Sequence, residues 1–265
     1  MSRSVLFTEN FSSGWLNRVQ KTLGNTSMKL LLEAGLFQGM HIADIGCGTG
    51  HMTSWLARMV GPTGQVYAID INKEVLDIAQ ARIDQEGLTN VTFVHSDSNE
   101  LHTFSYRYDL IYSRLMLMHQ KEPFKTMSIL KECLNSGGKL VFDECVNGTV
   151  LSIPYFAEVI ECDRVMCRLL DSVGSPVETG NYLYQYCYNL GFSIEYAQCI
   201  QPILSLDEGK ELLRHMLRES ESQIITKKIL SSEEYRDLYD RVGNLPEDNS
   251  ACLVVPRMVQ LIARK

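Results

Sequence analysis

Glycine and aspartate residues in the first third of the chain have the types and spacing of a nucleotide-binding loop. Gly46, Gly48 and Gly50 alternate after a short apolar run, and a helical pattern follows them. Because glycine has no side chain, a ligand can lie directly on the backbone where a strand turns into a helix. Asp70 ends the next apolar run about twenty residues later, where nucleotide-type folds bind ribose hydroxyls. The two features together predict a site for a ribose-containing ligand.

The spacing of the glycines distinguishes a dinucleotide cofactor from a nucleoside-containing cofactor without a pyrophosphate. A dinucleotide fingerprint reads Gly-x-Gly-x-x-Gly, but the sixth position counted from Gly46 is His51, and the third glycine comes one residue early. A pyrophosphate-binding loop is therefore disfavoured. A nicotinamide-dependent oxidoreductase stays an alternative of lower rank, since the chain also lacks a Tyr-x-x-x-Lys pair.

Short apolar runs alternate with helical patterns around these residues. The predicted strands cover residues 41–45, 66–70, 91–95, 108–113 and 139–142. The predicted helices between them cover residues 52–60, 73–85 and 124–134, the last ending in a glycine turn at 135–138. Nearly continuous apolar strands that alternate with helices predict an α/β fold with a parallel, doubly wound sheet covered on both faces.

The alternation breaks after residue 145. The pattern predicts an extra helix over 154–171, a crossover helix over 182–190, a sixth strand over 192–199 and a last strand over 251–262. The charged stretch 206–243 and most of residues 1–39 have helical patterns. Two strands separated by a helical excursion can still pair as an antiparallel edge.

Three segments carry a resemblance to a known family. They read Ala-Asp-Ile-Gly-Cys-Gly-Thr-Gly, Tyr-Asp-Leu-Ile-Tyr-Ser-Arg with Met-His shortly after it, and Leu-Asn-Ser-Gly-Gly-Lys-Leu-Val. In these segments the chain resembles the class I methyltransferases that use S-adenosylmethionine (SAM), in the branch of the ubiquinone and menaquinone biosynthesis enzymes. The resemblance covers residues 40–145 well. It implies a Rossmann-like, seven-stranded, mainly parallel sheet with an antiparallel last strand, and SAM across the carboxyl ends of the first strands.

The chain is also predicted to form one domain over residues 1–265 with helical additions, because its linkers are too short to mark a second independent domain. Its parts are an N-terminal helical cap (1–39), a SAM-binding core (40–145), helical insertions that cover the substrate (146–180 and 203–250) and closing strands (181–202 and 251–265).

Several residues inherit a cofactor-binding role from the resemblance. Asp44 is expected to orient the glycine loop and reach the methionine amino group, Asp70 to accept from the ribose diol, and Asp97 to accept from the adenine amino group. The remaining expected contacts are Gly46, Cys47, Gly48, Gly50, Ile71, Ser98, Ser113 and Arg114. Plain structural readings stay open for some of them, because a helix cap, a turn aspartate or a surface ion pair uses the same residue types.

Two side chains are candidates for a general base. His119 follows the fourth predicted strand, and Glu144 ends the fifth next to Asp143. A base is needed only if the acceptor loses a proton during methyl transfer. Each candidate also has a structural reading, since a lone histidine can hold a loop and either carboxylate can cap the next segment.

Charge and composition limit the partners. The formal charge of −7 over 265 residues disfavours nucleic-acid binding, which needs a basic face. The chain also lacks the Asn/Asp-Pro-Pro-aromatic motif of methyltransferases that act on nucleobases or glutamine amides. The expected partner is a small or medium organic acceptor. A non-catalytic SAM-binding sensing module stays an alternative, and a homodimer through 206–243 is a weaker possibility.

The remaining sequence signals concern location and metals. No apolar stretch approaches the length of a membrane span, and the first ten residues lack the apolar centre of a secretory signal. The eight cysteines include no Cys-x-x-Cys pair, which gives no support for a metal site. A reduced, cytoplasmic protein is the expectation.

Overall fold

A central sheet of seven strands organises the computed structural model, which describes residues 13–265. The strands in the described part of the chain are β1 (His41–Ile45), β2 (Gln65–Asp70), β3 (Val91–His95), β4 (Tyr108–Arg114), β5 (Leu134–Val146), β6 (Leu151–Ile153), β7 (Ser193–Ile200), β8 (Ile203–Ser205), β9 (Cys252–Val254) and β10 (Arg257–Arg264). The large sheet has the order β3-β2-β1-β4-β5-β10-β7. Its first five strands are parallel, and β10 runs antiparallel to both β5 and β7. The predicted fold class is confirmed.

Helices cover both faces of this sheet. Within the described residues they are α1 (Ser13–Glu33), α2 (His51–Val60), α3 (Lys73–Gln85), α4 (Pro123–Glu132), α5 (Ala157–Ser172), α6 (Thr179–Asn189), α7 (Leu206–Thr226) and α8 (Ser232–Gly243). Strand side chains alternate between the faces, as the pleat requires. Ile42 packs in one cluster with α1 and α2, whereas its neighbour Ala43 packs in another with α4 and α6. No helix of the described chain is both long and apolar enough to cross a membrane.

The fifth strand differs from its prediction. Residues 135–138 were expected to form a glycine turn after a helix, but α4 ends at Glu132 and β5 already begins at Leu134. The pairing of β4 with β5 shifts register between Tyr108 and Leu110, which accommodates these residues as an irregular stretch of the strand. The two adjacent glycines therefore belong to an irregular stretch of a strand here, although the same residues would also suit a turn.

A second, smaller sheet was not predicted. Its order is β6-β9-β8, with both pairings antiparallel. The single strand expected over residues 251–262 is therefore wrong, because β9 joins the small sheet and β10 joins the large one. Pro256 lies between them, and proline lacks the N–H that a continuous ladder needs.

Helical additions surround the small sheet. The expected helical stretch 206–243 is two helices, α7 and α8, and Lys228 between them has a positive φ of 55°. For residues 1–39 the structure has one helix, α1; the part of that prediction covering residues 1–12 lies outside the described residues. Helices α5, α7 and α8, the small sheet and the first half of α1 pack around a third apolar cluster, which is distinct from the two clusters on the faces of the large sheet.

Candidate functional site

The glycine loop between β1 and α2 forms a backbone cradle. Gly46, Gly48 and Gly50 have φ values of 73°, 54° and 77°, which side chains strongly disfavour. A Cβ atom on Gly50 would lie 2.8 Å from the Cβ of Ala79, so this glycine lets α2 and α3 approach each other. The backbone N–H of Gly46 donates to the Ile69 carbonyl at 2.8 Å, which ties the loop to β2. The loop is thus rigid and presents backbone to the cavity.

Asp70 holds the loop from the end of β2. Its Oδ2 accepts from the Gly48 N–H at 3.0 Å, and its Oδ1 accepts from the Asn72 N–H at 2.9 Å. Burial raises the pKa of this carboxyl, and the backbone donors oppose that shift. Each carboxylate oxygen can accept more than one hydrogen bond, so both can still receive hydroxyls from a ligand. The sequence predicts Asp70 at the end of the second strand, where the structure has it, but it does not predict the hydrogen bond from the glycine loop.

Asp44 is buried at the end of β1. Its Oδ2 accepts from the Thr53 hydroxyl at 2.6 Å, which links the first strand to α2. Burial raises its pKa to about 6, while the Thr53 hydrogen bond and the charge of Arg114 oppose the shift. The carboxyl lines the cavity beside Gly46 and Gly48.

The end of β3 supplies a third acidic side chain. Asp97 caps the short 3₁₀ helix Ser98–Thr103 by accepting, at Oδ1, from both the backbone and side-chain N–H groups of Asn99 at 2.9 Å. The hydroxyl of Ser98 is buried and makes no hydrogen bond among the described residues. Both residues line the cavity together with Ile71. A turn role and a ligand role are therefore compatible for Asp97.

Arg114 makes no surface ion pair among the described residues. Its guanidinium donates to the Ser27 hydroxyl at 3.1 Å and to Oε1 of Gln20 at 2.9 Å, which joins β4 to α1. Ser27 in turn donates to Oδ2 of Asp143 at 2.6 Å, inside the protein. Arg114 lines the cavity, but Ser113 is buried and does not, so the structure brings only the first of these two expected contacts to the site.

The two candidate bases lie in different places. His119 lines the cavity, and burial lowers its pKa to about 4. Glu144 is fully buried and is not part of the lining: its Oε1 accepts from the backbone N–H groups of Met116 and Leu117 at 3.0 and 2.9 Å. Burial raises the pKa of Glu144 to about 8. Glu144, a candidate base in the sequence, therefore lies outside the cavity and holds the segment that follows β4.

One cavity of about 300 Å³ connects the glycine loop to a region that sequence reasoning did not resolve into residues. We call that region the apolar chamber. Its described walls come from α1, the segment after β4, the end of β5, α5, α7 and the chain around β9 and β10. Their apolar residues are Trp15, Val19, Leu23, Met118, Cys145, Met166, Leu213, Met216, Leu253, Val255 and Met258, and the same lining includes the polar residues Asn147, Asp163, Glu219 and Ser220. The helical spacing of apolar residues in α5 and α7 signals a buried face, but it does not say what that face covers.

The site combines a glycine loop of fixed backbone, an acid at each of three neighbouring strand ends and an adjoining apolar chamber. This combination on a doubly wound sheet is typical of a site for a nucleotide-containing cofactor. A family model described as a methyltransferase domain matches residues 36–221. The chain belongs to this methyltransferase family, and it is a SAM-dependent enzyme.

Curated relatives carry consistent names. The chain is 24% identical over 189 residues to the ubiquinone/menaquinone biosynthesis C-methyltransferase UbiE of Psychromonas ingrahamii. The aligned region covers 71% of this chain and 68% of that protein. It is 26% identical over 133 residues to the demethylmenaquinone methyltransferase of Lactococcus lactis, over 50% of this chain and 52% of the relative. The matched region therefore spans from half to two thirds of these relatives' length.

Solved structures share the fold. A methyltransferase-like protein from Bacillus halodurans superposes with a TM-score of 0.63 at 20% identity, covering 91% of this chain and 99% of that one. The phosphoethanolamine N-methyltransferase 2 of Haemonchus contortus, crystallised with SAM, gives a TM-score of 0.62 at 17% identity, covering 100% of this chain and 60% of that one. At these identities the likeness concerns the fold alone.

The residues at the strand ends fit SAM. The φ values of the glycine loop leave backbone where a ligand must approach closely. The buried hydroxyl of Ser98 lines the cavity without a hydrogen-bond partner among the described residues, as expected where a polar ligand completes the site.

Proposed function

We propose that this methyltransferase acts on an uncharged, largely apolar ring compound of the phenol or hydroquinone class. The observation that carries the proposal is the single cavity joining the glycine cradle to the apolar chamber. Among the described residues of its lining, the one Lys or Arg side chain is Arg114, which is bonded to Ser27 and Gln20. No further cation of the described lining can bind an acceptor's phosphate or carboxylate, the groups that need one. The names of the curated relatives, which concern quinone biosynthesis, support the same class.

Within this proposal the chain's polar groups hold the cofactor. Asp70 accepts from the ribose diol, Asp97 and Ser98 receive the adenine edge, and Asp44 faces the methionine amino group. SAM, when bound, supplies a methyl group on a sulfonium that is already activated for transfer. The protein's contribution is orientation and the exclusion of water by the chamber walls.

His119 is our candidate for contact with the acceptor hydroxyl. With a pKa of about 4 its imidazole is neutral at physiological pH and can accept a hydrogen bond from a phenolic O–H. This hydrogen bond increases the electron density on the phenol oxygen and its ring, which makes them more nucleophilic while the proton stays on the oxygen. Glu144 acts as a positioning residue, since it holds Met116 and Leu117, which immediately precede Met118 and His119.

Two general properties support a small-molecule role in a reducing compartment. The net charge of −7 opposes binding to nucleic acid, and all eight cysteines are free thiols. We therefore propose a cytoplasmic location.

Calorimetric titration with SAM and S-adenosylhomocysteine (SAH) tests the cofactor half of the proposal. Asp70→Ala should weaken binding by about 1–3 kcal/mol, because a charged hydrogen-bond acceptor is lost. Asp84→Ala, an exposed aspartate on α3, is the matched control and should bind like the wild type. Equal SAH affinity of the folded Asp70→Ala protein contradicts the role of this residue, and binding of NADH in place of SAH contradicts the cofactor.

A turnover assay tests the acceptor half. Release of SAH is measured with SAM and either a hydroquinone or phosphoethanolamine as acceptor. We expect turnover with the uncharged ring compound and none with the phosphorylated amine. The reverse preference contradicts the argument from the missing cation.

A further inference from the structure

Methionine is concentrated around the cavity. The chain has eleven methionines, and six of them line this one cavity. Four belong to the apolar chamber and come from four separate segments of the chain: the 3₁₀ helix Leu117–His119, α5, α7 and β10. They are Met118, Met166, Met216 and Met258. Four independent segments thus contribute the same unbranched thioether side chain to the lining of the chamber.

Two of these side chains, Met118 and Met258, neighbour the thiol residue Cys145. Met258 lies directly opposite Cys145 in the β10–β5 ladder. The Cys145 thiol lies 3.5 Å from the Met118 thioether sulfur. Met118, Met166 and Met258 are buried in the chamber's cluster, and Met216 packs against it. The chamber therefore presents four flexible side chains among its wall residues.

The two halves of the cavity differ in stiffness. The cofactor half is made of backbone with fixed hydrogen bonds, such as those that Asp70 accepts from Gly48 and Asn72. Methionine has three rotatable bonds and a polarizable sulfur, so it refills irregular gaps and makes favourable contacts with aromatic rings. Binding surfaces rich in methionine can repack around different partners.

We propose that the methionines of the apolar chamber give this enzyme a broad acceptor range: uncharged ring compounds of different size bind because Met118, Met166, Met216 and Met258 repack around them. The proposal rests on the proposed function and adds a specificity mechanism to it. The cofactor is held in one geometry, while the chamber adjusts its shape to the acceptor.

The chain contains a built-in reporter for this chamber. Of its two tryptophans, Trp15 lines the cavity and packs against the chamber's cluster, whereas Trp55 packs in the cluster around α2. In a Trp55→Phe background, fluorescence therefore reports on Trp15. Phenol, 2-naphthol and 4-hexylphenol serve as probes, each titrated in the presence of SAH.

The test compares two triple variants in that background. Met166→Leu/Met216→Leu/Met258→Leu stiffens the chamber with little change of volume, the kind of substitution that cores tolerate best. Met28→Leu/Met59→Leu/Met127→Leu is the control, because these three methionines do not line the cavity. In the wild type and the control we expect the three probes to bind with dissociation constants within about tenfold of one another. In the chamber variant we expect that spread to widen to about a hundredfold or more.

The outcomes separate this inference from the proposed function. A chamber variant with the same spread as the control overturns the role of the methionines, and so does a wild type that binds one probe only. If the wild type does not bind SAH, the cofactor assignment is contradicted instead. The probe titrations can then be repeated without SAH, and they still report on the chamber.

Discussion

Ser27→Ala tests whether the link between α1 and the sheet stabilises the protein. The Ser27 hydroxyl is buried, donates to Oδ2 of Asp143 at 2.6 Å and accepts from Arg114 at 3.1 Å. The substitution removes a hydrogen bond to a buried carboxylate, worth about 1.5–3 kcal/mol. Alanine returns about 0.5 kcal/mol because it favours the helix. The expected net loss is about 1–2.5 kcal/mol in the free energy of unfolding, measured by urea denaturation at pH 8.

The loss should depend on pH. Burial raises the pKa of Asp143, so its carboxyl takes up a proton above the ordinary acidic range. Once it is protonated, Ser27 donates to a neutral group and the bond is worth about 1 kcal/mol. The penalty of Ser27→Ala should therefore shrink as the pH falls, and it should also shrink in an Asp143→Asn background.

A serine on another helix supplies the control. Ser128 on α4 is partly exposed, and Ser128→Ala should change stability only through helix propensity. If Ser27→Ala is no more destabilising than this control at pH 8, the buried link does not stabilise the protein and the reasoning fails.

Two further predictions concern the candidate bases. Burial raises the pKa of Glu144 in the folded protein from 4.5 to about 8. Between these pH values the folded protein keeps a proton that the unfolded chain releases, so the free energy of unfolding falls as the pH rises through this range. Glu144→Gln should remove this pH-dependent loss of stability, which is on the order of 3–5 kcal/mol at pH 9. Unfolding curves of both proteins from pH 5 to 9 measure it, and parallel stability profiles would falsify the burial argument. His119→Gln should lower kcat roughly 10²-fold with SAH affinity unchanged. Because its pKa is about 4, the wild-type rate should show no inflection near pH 6.5, and such an inflection contradicts the neutral state of His119.

The cofactor half could be predicted because its signals are local. Three alternating glycines require a special backbone, and their positive φ values bear this out. Asp70 and Asp97 follow apolar runs, so strand ends in a parallel sheet bring them to one edge. Each of these inferences needs only the pattern of a few neighbouring residues.

The position of Glu144 could not be read from such patterns. It depends on how the segment containing Met116 and Leu117 folds back over β5, which is a contact between distant parts of the chain. The partner of the adjacent Asp143 could not be predicted either, because Asp143 accepts a hydrogen bond from Ser27 on α1, which is distant in sequence. Two neighbouring carboxylates in a strand must point to opposite faces, but the sequence does not say what covers each face.

The small sheet and the chamber have the same origin. Strands β6, β8 and β9 have three residues each, too few for an alternating pattern to be recognised. They come from segments separated by about fifty residues or more, so only the tertiary structure brings them together. The chamber's methionines are likewise spread over the chain.

The place of β10 shows that the two halves of the cavity come from different parts of the chain. This strand comes last in chain order within the described structure, yet it lies inside the sheet, between β5 and β7. Val255, Pro256 and Met258, at and just before its start, line the cavity. The glycine loop and its acids all precede residue 100, whereas part of the chamber wall comes from the segment that leads into β10. The pairing of β10 with β5 and β7 therefore fixes the position of this part of the acceptor's binding surface within the sheet.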